Sequence, residues 1–118
     1  MNKVAVIGAG AWGTALALHA HRAGCAVTLW ARDPDRAAAI AASRRNLRLP
    51  GVLLPDAIRV TADMPQAETI LLVVPVQHLR EIAARLPAHG ILVVCAKGVE
   101  RDTHKLPLEI LARHGGVP

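Results

Sequence analysis

The stretch KVAVIGAGAWGTALA, residues 3–17, decides the fold of this chain. It begins with a short apolar run, Lys3 to Gly8, which is typical of a buried strand. An alanine- and leucine-rich segment from Ala11 to Ala23 follows, and it predicts a helix that stops at Gly24. Glycines with the spacing G-x-G-x-x-G lie at the junction, so the sequence predicts a strand, a tight turn and a helix in immediate succession.

Each glycine of this junction has a separate expected task. Gly8 permits the tight turn, Gly10 lets a pyrophosphate approach the backbone, and Gly13 lets the helix pack closely on the strand. The helix N-terminus adds unpaired N–H groups and a partial positive charge. A P-loop shares part of this spacing, but Thr14 and Ala15 stand where a P-loop needs Lys and Ser or Thr. The junction therefore predicts a dinucleotide site.

Apolar runs alternate with helical patterns along the rest of the chain, which predicts parallel strands joined by right-handed crossovers. We expect one α/β domain over residues 1–118, of the Rossmann type, with a doubly wound, mainly parallel sheet and helices on both faces. Asp33 and Pro34 are suited to cap and begin the second helix. The remaining predicted strands are Cys25–Ala31, Ile58–Thr61, Thr69–Val74 (fully buried) and Gly90–Ala96, with later helices near Leu79–Leu86 and between Thr103 and Arg113.

The composition narrows the class of protein. Hydrophobic residues make up 53% of the chain, and Trp12 and Trp30 are its only aromatic residues, so we expect a core of Ala, Val, Leu and Ile. The formal net charge is +5, but the arginines are scattered and no aromatic residues lie among them. This favours a phosphate-bearing small molecule over nucleic acid as the partner.

Cysteine usage and hydropathy indicate the compartment. Cys25 and Cys95 have neither metal-site nor disulfide spacing, and we expect both to be buried thiols in a reducing cytosol. No signal peptide and no membrane-spanning run is visible, so we expect a cytoplasmic protein without membrane contact. A metal site is not predicted, and a homodimer is left open.

The end of the second predicted strand indicates the cofactor. A site specific for NAD places an acidic residue there to bind the ribose 2′-OH. Ala31 and Arg32 occupy that position, and Arg32 is suited to pair with a 2′-phosphate, although a solvated surface arginine has the same sequence signature. Asp33 fits a helix cap better than a ribose ligand. We therefore predict a preference for NADP(H), with NAD(H) also accepted.

Residues after the fourth and fifth strands are further candidates, because ligands bind at the carboxyl edge of open α/β sheets. Pro75 and His78 are expected near the nicotinamide half of the cleft, although a first-turn helix residue explains His78 equally well. Lys97 follows the fifth strand directly and is placed to meet an anionic group, with a surface lysine as the alternative.

These elements together resemble the opening of NAD(P)-dependent glycerol-3-phosphate dehydrogenases. The resemblance rests on GAGAWGTALA (residues 8–17), WARD (30–33), LPGV (49–52), VVP (73–75) and K-G-x-E (97–100). It implies that Ala11, Trp12, Arg32 and Lys97 contact NAD(P)H, that His78 lies near it, and that Lys97 also contacts glycerol 3-phosphate. Family members often carry Ser at the position of Ala11 and an aromatic residue at that of Arg48.

The resemblance also implies a reaction. Family enzymes transfer a hydride between NAD(P)H and dihydroxyacetone phosphate, giving sn-glycerol 3-phosphate for phospholipid synthesis. Their catalytic Lys lies on a helical second domain, so we expect residues 1–118 to be a fragment whose catalytic residues lie beyond Pro118 and which is inactive alone. Two alternatives remain: a free-standing dinucleotide-binding or redox-sensing module without catalysis, and another two-domain reductase of 2-oxo acids.

Overall fold

The computed structural model describes residues 2–87, 90–95 and 100–111. Strands and helices alternate along the chain as the hydrophobic pattern predicts, with boundaries within three residues of the expected ones. The last helix lies within the expected range of Thr103 to Arg113. The elements are β1 (Lys3–Ile7), α1 (Ala11–Arg22), β2 (Ala26–Trp30), α2 (Pro34–Ser43), β3 (Arg59–Thr61), β4 (Thr69–Leu72), α3 (Val76–Ala83), β5 (Ile91–Val94) and α4 (Pro107–Leu111).

The strands form one parallel sheet in the order β3-β2-β1-β4-β5. Strands β2 and β3 lie on one side of β1, and β4 and β5 lie on its other side. One row across the sheet aligns Leu29, Val6, Leu71 and Val93. The predicted doubly wound, parallel α/β fold is confirmed, and the strand order reverses beside β1, where ligands bind in such sheets.

Helices cover both faces of the sheet, and each face has its own apolar core. The first core joins α1 and α2 to alternate residues of β1 and β2, among them Val6 and Leu29. The second joins α3 and α4 to the opposite side chains, among them Ile7 and Leu72. Because side chains alternate along a strand, the two cores use complementary residues of the same strands.

Three expectations about burial need correction. The core is not purely aliphatic, because Trp30 is 1% exposed, and its indole nitrogen donates to the carbonyl oxygen of Ala62 at 2.9 Å. Cys25 and Cys95 are free thiols that are only half-buried. Strand β4 is not fully buried, because its residues alternate between buried and half-buried. Helix α1 packs on β1 and β2 and α2 packs on β3, so the face of the sheet that these two helices cover is less covered near β4 and β5.

Candidate functional site

The glycine loop between β1 and α1 is closely packed at two of its three glycines. Gly8 has a φ of 125°, and a Cβ there would lie 2.1 Å from the carbonyl oxygen of Val73. A Cβ on Gly13 would lie 1.8 Å from the carbonyl oxygen of Gly8. The tight turn at Gly8 and the close approach of helix and strand at Gly13 therefore have the geometry that the sequence predicts.

Gly10 differs from both of these glycines. A Cβ built on Gly10 meets no protein atom within 4 Å, and its φ of −75° is accessible to any residue. Neither backbone strain nor packing within the described residues thus requires glycine at this position. The open space beside Gly10 is where a ligand could come close to the backbone.

The N-terminus of α1 is left open by its own sequence. Gly10 is the N-cap and has no side chain to offer, and the first turn contains no acidic residue. Helix α2 is different, since Asp33 caps it by accepting a hydrogen bond from the amide of Asp35 at 3.0 Å, as predicted. The first-turn N–H groups of α1, which include those of Ala11 and Trp12, are therefore available to an anion.

A buried asparagine that the sequence analysis missed fixes the loop from behind. Asn46, in the segment between α2 and β3, is 3% exposed. Its amide donates to the carbonyl oxygen of Ala9 at 2.8 Å and to the hydroxyl of Thr14 at 2.7 Å. Its side-chain oxygen accepts from the guanidinium of Arg36 at 3.0 Å and from the amide of Arg48 at 3.1 Å. All four hydrogen bonds that this side chain can make are therefore formed.

A cavity of about 310 Å³ opens beside the glycine loop at the carboxyl edge of the sheet. It brings together the loop, the ends of β2 and β4, and α3. Of the residues predicted for the site, Gly8, Gly10, Arg32, Pro75 and His78 line it. The other lining residues are Ala9, Trp30, Arg36, Arg48, Val73, Val74 and Ile82.

Arg32 lies at the exposed rim and already has partners. Its guanidinium binds both carboxylate oxygens of Glu81, on α3, at 3.1 and 3.2 Å. It also lies 3.2 Å from Nδ1 of His78, and because a guanidinium is only a donor, Nδ1 is the acceptor in this contact. Both Arg32 and Glu81 are about half exposed, so the pair is solvent-screened.

Arg36 and Arg48 were not predicted as site residues. Arg36 comes from the first turn of α2 and donates through Nη2 to the carbonyl oxygen of Ala9 and to Asn46. Burial, and then the positive charge of Arg48, lower the pKa of Arg36 from its ordinary value. The sequence marked Arg48 only as a departure from the aromatic residue that the family often has there, and it did not mark Arg36. Their place beside the loop depends on how α2 and the α2–β3 segment pack against it.

The remaining predicted residues have different positions. Ala11 and Trp12 are exposed in the first turn of α1, and Trp12 is 63% exposed. Pro75 is the N-cap of α3, directly after the carboxyl edge of β4. Lys97 lies outside the described residues, so its predicted contact stays a prediction.

Glu100, the last residue of the K-G-x-E element, is anchored to α3. Arg80 donates to its carboxylate through Nε and Nη2, with a shortest distance of 2.9 Å, and Thr103 donates to it as well. The hydrogen bonds from Arg80 and then from Thr103 lower the pKa of Glu100 to about 2. Glu100 thereby ties the segment after β5 to the helix that borders the cavity.

Residues 2–87, 90–95 and 100–111 contain neither a candidate metal site nor a membrane-spanning helix. Within these ranges no three His, Cys, Asp or Glu side chains converge in a way that could hold a metal ion. The helices of the same ranges are too short or too polar to cross a bilayer.

Comparison with known proteins gives a consistent assignment. Residues 3–117 match the family model for the N-terminus of NAD-dependent glycerol-3-phosphate dehydrogenase. The chain belongs to this family. A glycerol-3-phosphate dehydrogenase from Coxiella burnetii has a crystal structure that superposes with a TM-score of 0.85 at 29% identity, covering 98% of this chain and 38% of that one.

Curated relatives agree with the family match. A glycerol-3-phosphate dehydrogenase [NAD(P)+] from Bradyrhizobium sp. strain BTAi1 is 54% identical over 118 residues, which cover 94% of this chain and 36% of the relative. One from Acidiphilium cryptum is 57% identical over 111 residues, covering 93% and 35%. The chain thus spans about a third of the length of these relatives.

Proposed function

We propose that the cavity binds a nicotinamide adenine dinucleotide, with its pyrophosphate at the N-terminus of α1. The observation that carries this proposal is Gly10, where a Cβ meets no atom of the described residues within 4 Å although the other two glycines of the motif are tightly packed. Glycine at this position is explained by a ligand that approaches the backbone. Gly8 and Gly13 then shape the loop, while Ala11 and Trp12 offer first-turn amides to the phosphates.

The adenosine and nicotinamide ends then extend along the carboxyl edge of the sheet. Arg32 is assigned to the adenosine ribose, because it is the second residue after the end of β2 and lines the cavity. Pro75 and His78 are assigned to the wall at β4 and α3, and Lys97 to the cofactor and substrate on the side of β5. NADP(H) is the preferred form, and NAD(H) is also bound, since the cavity lining contains arginines and no carboxylate.

We propose that a protein of the relatives' full length, with this chain as its first part, catalyses the reversible reduction of dihydroxyacetone phosphate to glycerol 3-phosphate. The nicotinamide ring supplies or accepts the hydride. Relatives that carry this name support the reaction class, and the chain itself supplies the cofactor cavity. A role in phospholipid synthesis follows from the product, and the free state of Cys25 and Cys95 agrees with a reducing cytoplasm.

Binding can be tested on the purified chain through the fluorescence of exposed Trp12. Titration with NADPH is expected to give saturable quenching. Gly10→Val is expected to abolish it, because the new side chain fills the space assigned to the pyrophosphate. Ala38→Val, on the exposed surface of α2, is the matched control and is expected to bind like the parent. Equal affinities of the Gly10→Val variant and the parent would contradict the proposal.

A further inference from the structure

The cavity beside the glycine loop has an excess of positive charge on one wall. Arg32, Arg36 and Arg48 line it, and none of the described residues that line it carries a carboxylate. The charge of Arg32 is offset by Glu81 at 3.1 Å. Among the residues that the structure describes, no carboxylate forms an ion pair with Arg36 or Arg48. The wall formed by these two arginines is therefore the more strongly cationic one.

The two arginines are held in place and still have donors to offer. Asn46 accepts from the guanidinium of Arg36 and from the backbone amide of Arg48, so one buried side chain fixes both. Arg36 uses only Nη2 in these contacts, and no described residue accepts from its Nε or Nη1. The guanidinium of Arg48 has no acceptor within the same ranges, and the residue is exposed.

The electrostatics of this pair favour an anion. Burial and then the charge of Arg48 lower the pKa of Arg36, and the charge of Asp33 opposes this more weakly, so the repulsion between the two guanidinium groups is only partly offset. An anion between them removes the repulsion and accepts from the unused donors. A phosphate monoester carries close to two negative charges at neutral pH and three acceptor oxygens, whereas a ribose hydroxyl carries no charge.

The pyrophosphate is not the anion best placed for this wall. Arg36 and Asn46 both donate to the carbonyl oxygen of Ala9. In a trans peptide the carbonyl of Ala9 and the N–H of Gly10 point in opposite directions. The N–H of Gly10 thus faces away from the side on which Arg36 binds the loop, and the arginine wall is left for a phosphate group other than the pyrophosphate.

We propose that Arg36 and Arg48 form the subsite for a phosphate monoester on the adenosine ribose, the group that distinguishes NADP from NAD. Arg32 contributes less to this discrimination because Glu81 shares its charge. The inference rests on the proposed function, which requires only that a dinucleotide binds. It adds two specificity-determining residues that the sequence motif does not mark.

The test compares NADPH with NADH on the purified full chain. Arg48→Gln is expected to weaken NADPH binding by about 10- to 100-fold, the effect of losing one charged hydrogen-bonded contact, and to leave NADH binding unchanged. Arg45→Gln removes the same charge from an exposed residue that does not line the cavity, and it is expected to change neither affinity. Arg32→Gln is expected to lower the NADPH/NADH affinity ratio less than Arg48→Gln does.

A fragment ligand separates the two phosphate positions. The parent is expected to bind 2′-AMP more tightly than 5′-AMP, and Arg48→Gln is expected to remove this difference. Arg36→Lys keeps the charge but not the planar fork, and we expect it to reduce 2′-AMP binding while thermal unfolding shows a folded chain. Equal losses for NADPH and NADH in the Arg48→Gln variant overturn the inference but not the dinucleotide site. A parent that binds neither cofactor overturns both.

Discussion

The amide of buried Asn46 donates to the carbonyl oxygen of Ala9 at 2.8 Å, linking two residues that lie 37 positions apart in the sequence. The same amide reaches the hydroxyl of Thr14 at 2.7 Å, and that hydroxyl donates to the carbonyl oxygen of Gly10 at 2.8 Å. The loop that should bind the pyrophosphate is thereby held from behind by the α2–β3 segment. Preorganisation of this kind lowers the cost of binding, because the loop need not be ordered by the ligand.

Replacing Asn46 is expected to affect both stability and binding. Asn46→Ala removes the hydrogen bonds of this side chain with four groups, and the loss of each costs about 0.5–1.5 kcal/mol. We expect the free energy of unfolding, measured in urea, to fall by at least the cost of one lost hydrogen bond, and we expect the affinity for NADPH to fall as well. Leu47→Ala, at a neighbouring residue that is 97% exposed, is the control. A loss no larger than that of the control would contradict the role of Asn46.

Substitution of Gly13 is expected to lower the stability of the chain, whereas substitution of Gly10 is expected mainly to weaken ligand binding. Alanine in a helix interior normally stabilises relative to glycine by about 1 kcal/mol, but in Gly13→Ala the Cβ would lie 1.8 Å from the Gly8 carbonyl oxygen. We expect Gly13→Ala to destabilise the chain by about 3 kcal/mol or more. Gly10→Ala is expected to cost about 1 kcal/mol at most, the usual loss at an N-cap.

Chemical denaturation measures the stability of both variants, and titration with NADPH measures their affinity. Gly10→Ala is expected to remain folded and to bind more weakly than the parent, while Gly13→Ala loses its fold first. Similar stabilities for the two variants would mean that the backbone relaxes at Gly13, and the packing role assigned to that glycine would be wrong.

The ion pair between Arg32 and Glu81 limits how much positive charge the rim offers to a ligand. Glu81→Gln removes the competing carboxylate, so we expect NADPH to bind more tightly. Because both side chains are about half exposed, the gain is small, about 0.2–1 kcal/mol or up to fivefold in affinity. Glu68→Gln removes an equal charge from an exposed residue outside the cavity. Isothermal titration that gave the same change for both variants would show a general charge effect instead.

Glu100 is expected to make stability depend on pH in the acidic range. Its pKa is lowered to about 2 in the folded chain, from 4.5, by the hydrogen bonds from Arg80 and Thr103. A lowered carboxyl pKa gives stability that is fully present above pH 4.5 and is lost as the pH falls towards about 2. Glu100→Gln should therefore lower the melting temperature at neutral pH.

The difference between the parent and the Glu100→Gln variant should shrink as the pH falls through this window. Thermal unfolding followed by circular dichroism between neutral pH and pH 2 measures it, with Glu68→Gln as the exposed control. A difference that stays constant across the window would exclude the carboxylate of Glu100 as its source.

Much of the fold could be predicted because it follows from short-range patterns. Apolar runs such as Thr69–Val74 and the Asp33-Pro34 cap are local signals, and the strands and the helix start that they predict are present. Burial was predicted less well. Whether Leu71 or Cys95 is covered depends on which helix crosses which strands. The buried indole of Trp30 donates to the carbonyl oxygen of Ala62, a partner 32 positions away that no local pattern marks.

The sequence by itself determined the parallel α/β class, the dinucleotide motif and the family, because glycine spacing and hydrophobic alternation act over a few residues. Only the tertiary structure decided how Asn46, Arg36, Arg48 and Glu81 take part in the site. These side chains come from the first turn of α2, the segment that follows α2, and α3. Asn46, Arg36 and Arg48 meet at the glycine loop, and Glu81 meets Arg32 at the rim of the same cavity. Parallel strands bring their carboxyl ends to this one edge of the sheet, and such long-range hydrogen bonds leave no periodic signal along the chain.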